Sequence, residues 1–277
     1  MTDFDYTHIA TAYLIIGTIG FIVNTIVIYI KCHEKKHYSN ITYSMMIQLA
    51  TADNVALTAN TWCGAVFIYA PQLKCEPVER LFGFCSFFAW YSASYFLCFI
   101  AFTRFICITK REATSNQYFG RKMKFFMILM PWSICFAYYS SFLWWPDVPL
   151  ARWYDNKVSW DFNVDESSFG RWLVYQNIVS NSLCVVVQVA FNGLTLKWLR
   201  KERNAILTLS QTKNRRRETK LFFQCFVNCC FFAGTFTMFM SCNSLMTGEY
   251  GVAPYLIMSF TWIMHHCANS IIYFLMN

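Results

Sequence analysis

The chain has 277 residues, of which 56% are apolar and only 14% charged, and Phe, Tyr and Trp together number 54. That composition excludes an ordinary soluble domain, and seven long apolar stretches leave no room for an added one. The formal charge of +8 raises nucleic acid as a partner, but the bases sit beside apolar stretches and face anionic lipid instead.

Residues 1–8 are polar, with Asp3 and Asp5 where a signal peptide would be basic. The first apolar run is long and lacks a small-residue cleavage site, so it is expected to stay as a first span. Seven stretches nearly free of ionised side chains follow, at about 9–30, 41–70, 81–109, 125–145, 171–196, 221–243 and 252–275. A hydrocarbon core of ~30 Å needs ~20 apolar residues per helix. Backbone groups in lipid must be satisfied within each segment, and no stretch alternates in polarity as a barrel strand would. The expectation is therefore an all-α bundle of seven transmembrane helices, one domain over residues 1–277 of a multi-pass plasma-membrane protein. Thirteen cysteines lie mostly inside the stretches, as Cys225, Cys229 and Cys230 do. They read as small buried thiols and not as a disulfide framework.

Charge sets the orientation. The N-terminus and the connections on its side carry five bases against ten acids, a balance of −5. The other side carries seventeen bases against four acids, +13, with Asp53 and Arg104 left inside the spans. Lys and Arg are retained in the cytoplasm, which puts the N-terminus outside and the C-terminus inside. The sequon Asn40-Ile41-Thr42 then falls in an inner loop and should stay unglycosylated.

The longest outer connection, about 146–170, mixes Trp153, Tyr154, Trp160, Phe162 and Phe169 with Asp147, Asp155, Asp161, Asp165 and Glu166. Two readings fit: aromatic anchoring at the headgroups, or a lid over a cavity open to the outside. Pro146 and Pro149 should end the fourth helix.

Asp53, mid-span with no basic neighbour in its own helix, must be paired, wetted or protonated. Asn24 and Asn269 are its candidate partners, each amide able to donate and accept. The cluster reads either as a structural polar knot or as a hydrated switch able to take a small cation, such as sodium, near Asp53. Arg104 sits near the inner end of the third stretch, where its stem can snorkel to the headgroups; no acid precedes it. Enzyme signatures are lacking: the phosphate-binding glycine loop, H-E-x-x-H and G-x-S-x-G are all absent, and five histidines are too few for a membrane di-iron site.

The buried residues form a recognisable set. Leu49-Ala50-Thr51-Ala52-Asp53 resembles the second-helix Leu-Ala-x-x-Asp of rhodopsin-like G-protein-coupled receptors. Asn24 with Val27 resembles their first-helix Asn-x-x-Val, and Asn269-Ser270-Ile271-Ile272-Tyr273 their Asn-Pro-x-x-Tyr, with serine in place of proline. Thr103-Arg104-Phe105 stands where they carry Asp-Arg-Tyr. Four motifs in order span essentially the whole chain, and the divergent third-helix triplet with Tyr- and Phe-rich spans looks most like nematode serpentine chemoreceptors of class x.

The resemblance implies a receptor, not an enzyme, that couples a ligand cavity near the outer face to a heterotrimeric G protein within. Activation would shift the population toward a state with the sixth helix swung outward. Thr103, Arg104, Asn269, Tyr273 and the basic run Arg215, Arg216 and Arg217 would serve that coupling. The cavity, for a small molecule or short peptide, is expected on Phe82, Ser86, Trp90 and Tyr91 of the third helix. Gln176, Asn177 and Asn181 of the fifth and Ser259, Trp262 and His266 of the seventh would complete it. Departures accompany the matches: no cysteine in 146–170 bridges to the third helix, leaving Cys75 or Cys85 to pair elsewhere. The sixth stretch has no proline, so Gly234 is its only backbone weak point. The sequence given ends four residues past Tyr273, so the eighth helix and phosphorylatable tail of the family are not expected. A non-signalling scaffold, or a carrier using Asp53 as a cation or proton site, are the alternative functions.

Overall fold

The computed structural model describes residues 6–33, 41–109, 119–146, 148–201, 209–245 and 252–276, with backbone alone at 209–218, 242–245 and 275–276. Asn40 of the sequon, the acids Asp3, Asp5, Asp147 and Glu249, and the side chains of Arg215, Arg216 and Arg217 lie outside the described residues.

Among the described residues, seven helical elements follow one another. They are α1 (Thr7–His33), α2 (Ile41–Leu57, a π-helical turn Thr58–Trp62, then Cys63–Tyr69), α3 (Glu76–Thr109), α4 (Arg121–Tyr139), α5 (Ser168–Lys201), α6 (Leu209–Leu245) and α7 (Ala253–Met276). A short turn Ser141–Trp144 extends α4, ahead of Pro146. Five helices among the described residues are long and apolar enough to cross a membrane: α1, α3, α4 with its extension, α5, and Thr219–Ser241 of α6. Their outer faces suit lipid. Ile15, Ile19, Ile22 and Ile26 of α1 and Tyr175, Val179, Leu183 and Val186 of α5 are exposed at helical spacing, a pattern that water would not tolerate.

α3 is the most buried of the five, and packs against α2, α4, α5 and α6. Small residues let the helices approach. A Cβ on Gly17 of α1 would meet Thr61 Oγ1 of α2 at 2.0 Å, so any larger residue there would push the two helices apart.

The connection 146–170 has regular structure of its own. It folds into an antiparallel hairpin, β1 (Ala151–Tyr154) and β2 (Ser159–Phe162), pairing Trp153 with Trp160. Both indoles are buried, at 2% and 1% exposure, whereas Trp144 and Trp172 are exposed. Trp153 fits over Gly64, where a Cβ would lie 2.6 Å from its ring. Trp160 donates its Nε1–H to the Ala59 carbonyl at 2.9 Å, inside the π-helical turn of α2. Phe162 stacks on Phe87 of α3, centroids 4.2 Å apart. In the hairpin turn Val158 has φ 50°, a conformation costly for a β-branched residue; the Tyr13 hydroxyl of α1 donates to its carbonyl at 2.9 Å. Burial, with Asp161 nearby, pushes the Tyr154 hydroxyl on β1 up to about 12, so it stays protonated at any physiological pH. Every described cysteine is a free thiol, Cys75 and Cys85 included, so packing and not a disulfide holds the hairpin.

Candidate functional site

Two cavities and a polar knot between them occupy the bundle axis. The cavity at the hairpin end is narrow, about 30 Å³. α3 gives it Phe87 and Trp90, β2 gives Trp160, and α5 gives Asn177 and Asn181. α6 adds Thr235, Phe236 and Phe239, and α7 adds Met258 and Trp262. The wall is aromatic with a few amides, the usual make-up of a small-molecule site.

Of the cavity residues expected from sequence, Trp90, Asn177, Asn181 and Trp262 meet here. The others lie elsewhere. Phe82 packs half-buried against the core, and Ser86 donates to Asn60 Oδ1 of α2 at 3.1 Å. Tyr91 lies behind the wall, its hydroxyl donating to Asn177 Oδ1 at 2.5 Å. Gln176 turns toward α4, accepting from the Tyr139 hydroxyl at 3.3 Å. Ser259 is buried on α7 outside the lining. Phe87, Phe236, Phe239 and Met258 carried no distinguishing signal, since an aromatic or apolar residue in a span looks the same toward lipid as toward a cavity; Thr235 was passed over, and Trp160 was read only as part of the connection that anchors or covers.

His266 belongs to the knot and not to the cavity. Its Nδ1 lies 2.7 Å from Asp53 Oδ1, and Asn269 Nδ2 donates to Asp53 Oδ2 at 2.7 Å. Asn24 Nδ2 donates to the His266 carbonyl at 3.3 Å. Asn24, Asp53 and Asn269 thus converge, with His266 as a fourth member. Asp53 and Asn24 are 0% exposed and His266 1%. Both carboxylate oxygens face nitrogen groups, and the amide oxygens Asn24 Oδ1 and Asn269 Oδ1 are buried without hydrogen-bond partners. Trp90 links knot to cavity, packing edge-on against His266 at 5.7 Å, His265 at 5.4 Å and Trp262 at 5.6 Å between centroids.

The cavity at the opposite end, about 20 Å³, lies between α1, α2, α3, α6 and α7. Arg104, Asn269, Ser270 and Tyr273 line it beside Gln224 and Asn228. Arg104 is 1% exposed, drawn inward and not snorkelled to a headgroup surface. Thr103 donates to the Ile100 carbonyl at 3.1 Å, and its hydroxyl lies 3.3 Å from that of Thr42. The hydroxyl therefore ties α3 to α2 and does not serve as an ionic partner. Sequence reasoning missed Lys31, which reads there as a loop charge. It is 1% exposed, its Nζ 3.8 Å from the ring centroid of Tyr43 and 3.9 Å from that of Tyr273, a cation–π contact joining α1, α2 and α7.

A family described as serpentine type 7TM GPCR chemoreceptor Srx matches the chain over residues 14–277. No curated protein matches the chain significantly.

Proposed function

The chain belongs to the serpentine type 7TM GPCR chemoreceptor family Srx, and from that premise we propose that it senses a small molecule in the hairpin-end cavity. It is a multi-pass plasma-membrane receptor and not an enzyme, and G-protein coupling comes with the family. We infer that the hairpin end faces outward and the Arg104 end faces the cytoplasm, the sense that the positive-inside balance favours. The hairpin then acts as a fixed roof through Trp160.

The observation that carries the reading is the position of Trp90. It lines the cavity on one side and packs on His266, the partner of Asp53, on the other. A ligand that displaces this indole moves the imidazole, and with it the Asp53–Asn269 contact that leads down α7 to Tyr273. Binding would thereby favour a different packing of α6 and α7 and present Arg104 to the G protein. A narrow cavity walled by aromatic rings with a few amides suits a small molecule better than a peptide. The test is membrane expression with a chemically diverse panel and a G-protein activation readout. A filling substitution, Thr235→Trp, should abolish the response at matched surface expression. Orientation is checked with epitope tags after residue 5 and within 204–214, expected to be accessible from outside and inside, respectively. An agonist response undiminished by Thr235→Trp rejects this cavity.

A further inference from the structure

A groove opens on the flank of the bundle between α5 and α6, and at about 430 Å³ it is far roomier than the narrow hairpin-end cavity. α5 gives it Arg171, Val174, Tyr175 and Ile178, spaced i, i+3, i+4 and i+7 on one helical face. Val164, just past β2, and Phe239 of α6 line it as well. At ~1.5 Å of rise per residue the α5 side runs for about 10 Å, two helical turns. Tyr175 is exposed, as are Val179, Leu183 and Val186 below it, so the groove opens onto the face of α5 that suits lipid. Its described lining is apolar except at the hairpin end, where Arg171 is the one charged side chain.

Arg171 differs from its neighbours in having no counter-charge. The hairpin-end side of the chain carries five bases. Lys74 is held by Asp155 at 3.1 Å, Arg80 by Glu76 at 2.6 Å, Arg152 by Glu166 at 2.8 Å, and Lys157 by Asp161. Arg171 is exposed and makes no ion pair among the described residues. Glu166, the acid nearest to it in sequence, is already committed to Arg152. A guanidinium at the end of an apolar groove matches a molecule of two halves: an anion for its fork of donors and a hydrocarbon chain for the groove. Among the described residues no acid lines the groove. The ammonium of a zwitterionic head therefore finds no partner there, and a head of net negative charge is favoured.

We propose that this groove is a binding site for an anionic phospholipid of the bilayer, its phosphate on Arg171 and one acyl chain along Val174, Ile178 and Phe239. Phe239 also lines the hairpin-end cavity, so the bound chain backs one wall of that cavity from the membrane side. The site goes beyond the ligand reading above and stands without it. It is tested by native mass spectrometry of the purified receptor, titrated with phosphatidylglycerol or with phosphatidylcholine of the same acyl chains. Phosphatidylglycerol should bind about fivefold more tightly, the worth of one guanidinium at a lipid surface. Arg171→Gln alters an exposed side chain without an ion pair, so the receptor should fold, and phosphatidylglycerol should fall to the level of phosphatidylcholine. Lys74→Gln removes a base already paired with Asp155 and should leave the preference intact. Ile178→Trp fills the groove and should weaken both lipids. The proposal is overturned if the wild type does not distinguish the two lipids or if the preference survives Arg171→Gln. It is overturned equally if Lys74→Gln removes as much of the preference, which makes the attraction a diffuse one, or if Ile178→Trp leaves both lipids bound as before.

Discussion

The two cavities share α3, α6 and α7, yet their walls differ in kind. At the hairpin end almost every polar group has a partner within the protein, and aromatic rings make up most of the surface. At the opposite end Gln224 is 2% exposed with neither its oxygen nor its nitrogen hydrogen-bonded, and Asn228 Oδ1 is also unmatched. Arg104 stands beside them. Buried polar groups left unmatched are costly, and they persist where another state or another molecule satisfies them. The contrast teaches which end is finished and which is poised. The first is a narrow aromatic cavity, and the second a polar interior with buried amides left without partners.

That contrast can be broken most severely at Arg104. Arg104→Ala should abolish G-protein activation while leaving ligand binding at the hairpin end unchanged, measured at matched surface expression. Equal activation by wild type and variant would remove the poised character of this end. Next is the knot between the cavities. Asp53→Ala leaves His266 and Asn269 without their shared partner, at ~1–3 kcal/mol for each group stranded. Thermal unfolding of the purified receptor should fall, and signalling per receptor should drop while ligand affinity is kept. Loss of surface expression alone, with signalling per receptor intact, would make the knot purely structural.

Lys31→Met tests whether the poised end is held by the two aromatic rings. Removing a desolvated cation–π contact costs about 1–2 kcal/mol, readable as a lowered unfolding temperature and as ligand-independent activity if α7 is released. A variant as stable and as silent as wild type would show that Tyr273 is positioned by other contacts. The smallest effect is expected from Thr103→Asp. It gives Arg104 a neighbouring carboxylate, an exchange worth ~0–1 kcal/mol if solvent reaches it and more if it does not, and it should reduce basal activity. Raised basal activity in that variant would mean that the Thr103–Thr42 contact is what restrains α3.

Much of the site was legible because burial in lipid makes polar residues conspicuous. Asn24, Asp53 and Asn269 stand out in apolar stretches, and the structure brings them together. His266 carried the same kind of signal, but helical spacing alone does not say whether a histidine on α7 faces a cavity or the carboxylate below it. Ser86 and Tyr91 were misplaced for a related reason. A third-helix stripe chosen by spacing covers more than one face of a central helix, and α2 and α5 claim those two residues through Asn60 and Asn177.

The sequence by itself determined the class of the molecule. Where charge is missing, the bilayer forces helices, and four spaced motifs carry the receptor resemblance through the spans. Only the tertiary structure decided what the connection 146–170 is. Its alternation of Trp, Asp and Phe reads as headgroup anchoring or lid, and pairing with itself as a hairpin needs the partner surface of Gly64, Ala59 and Phe87 to bury the indoles. The same holds for Lys31, whose charge belongs to a loop in one dimension and to two aromatic rings in three. Hydropathy is a property of each segment taken alone. Which polar atom finds a partner depends on contacts between residues more than 200 positions apart, such as Asp53 with His266, at |i−j| 213, and those exist only once the helices have packed.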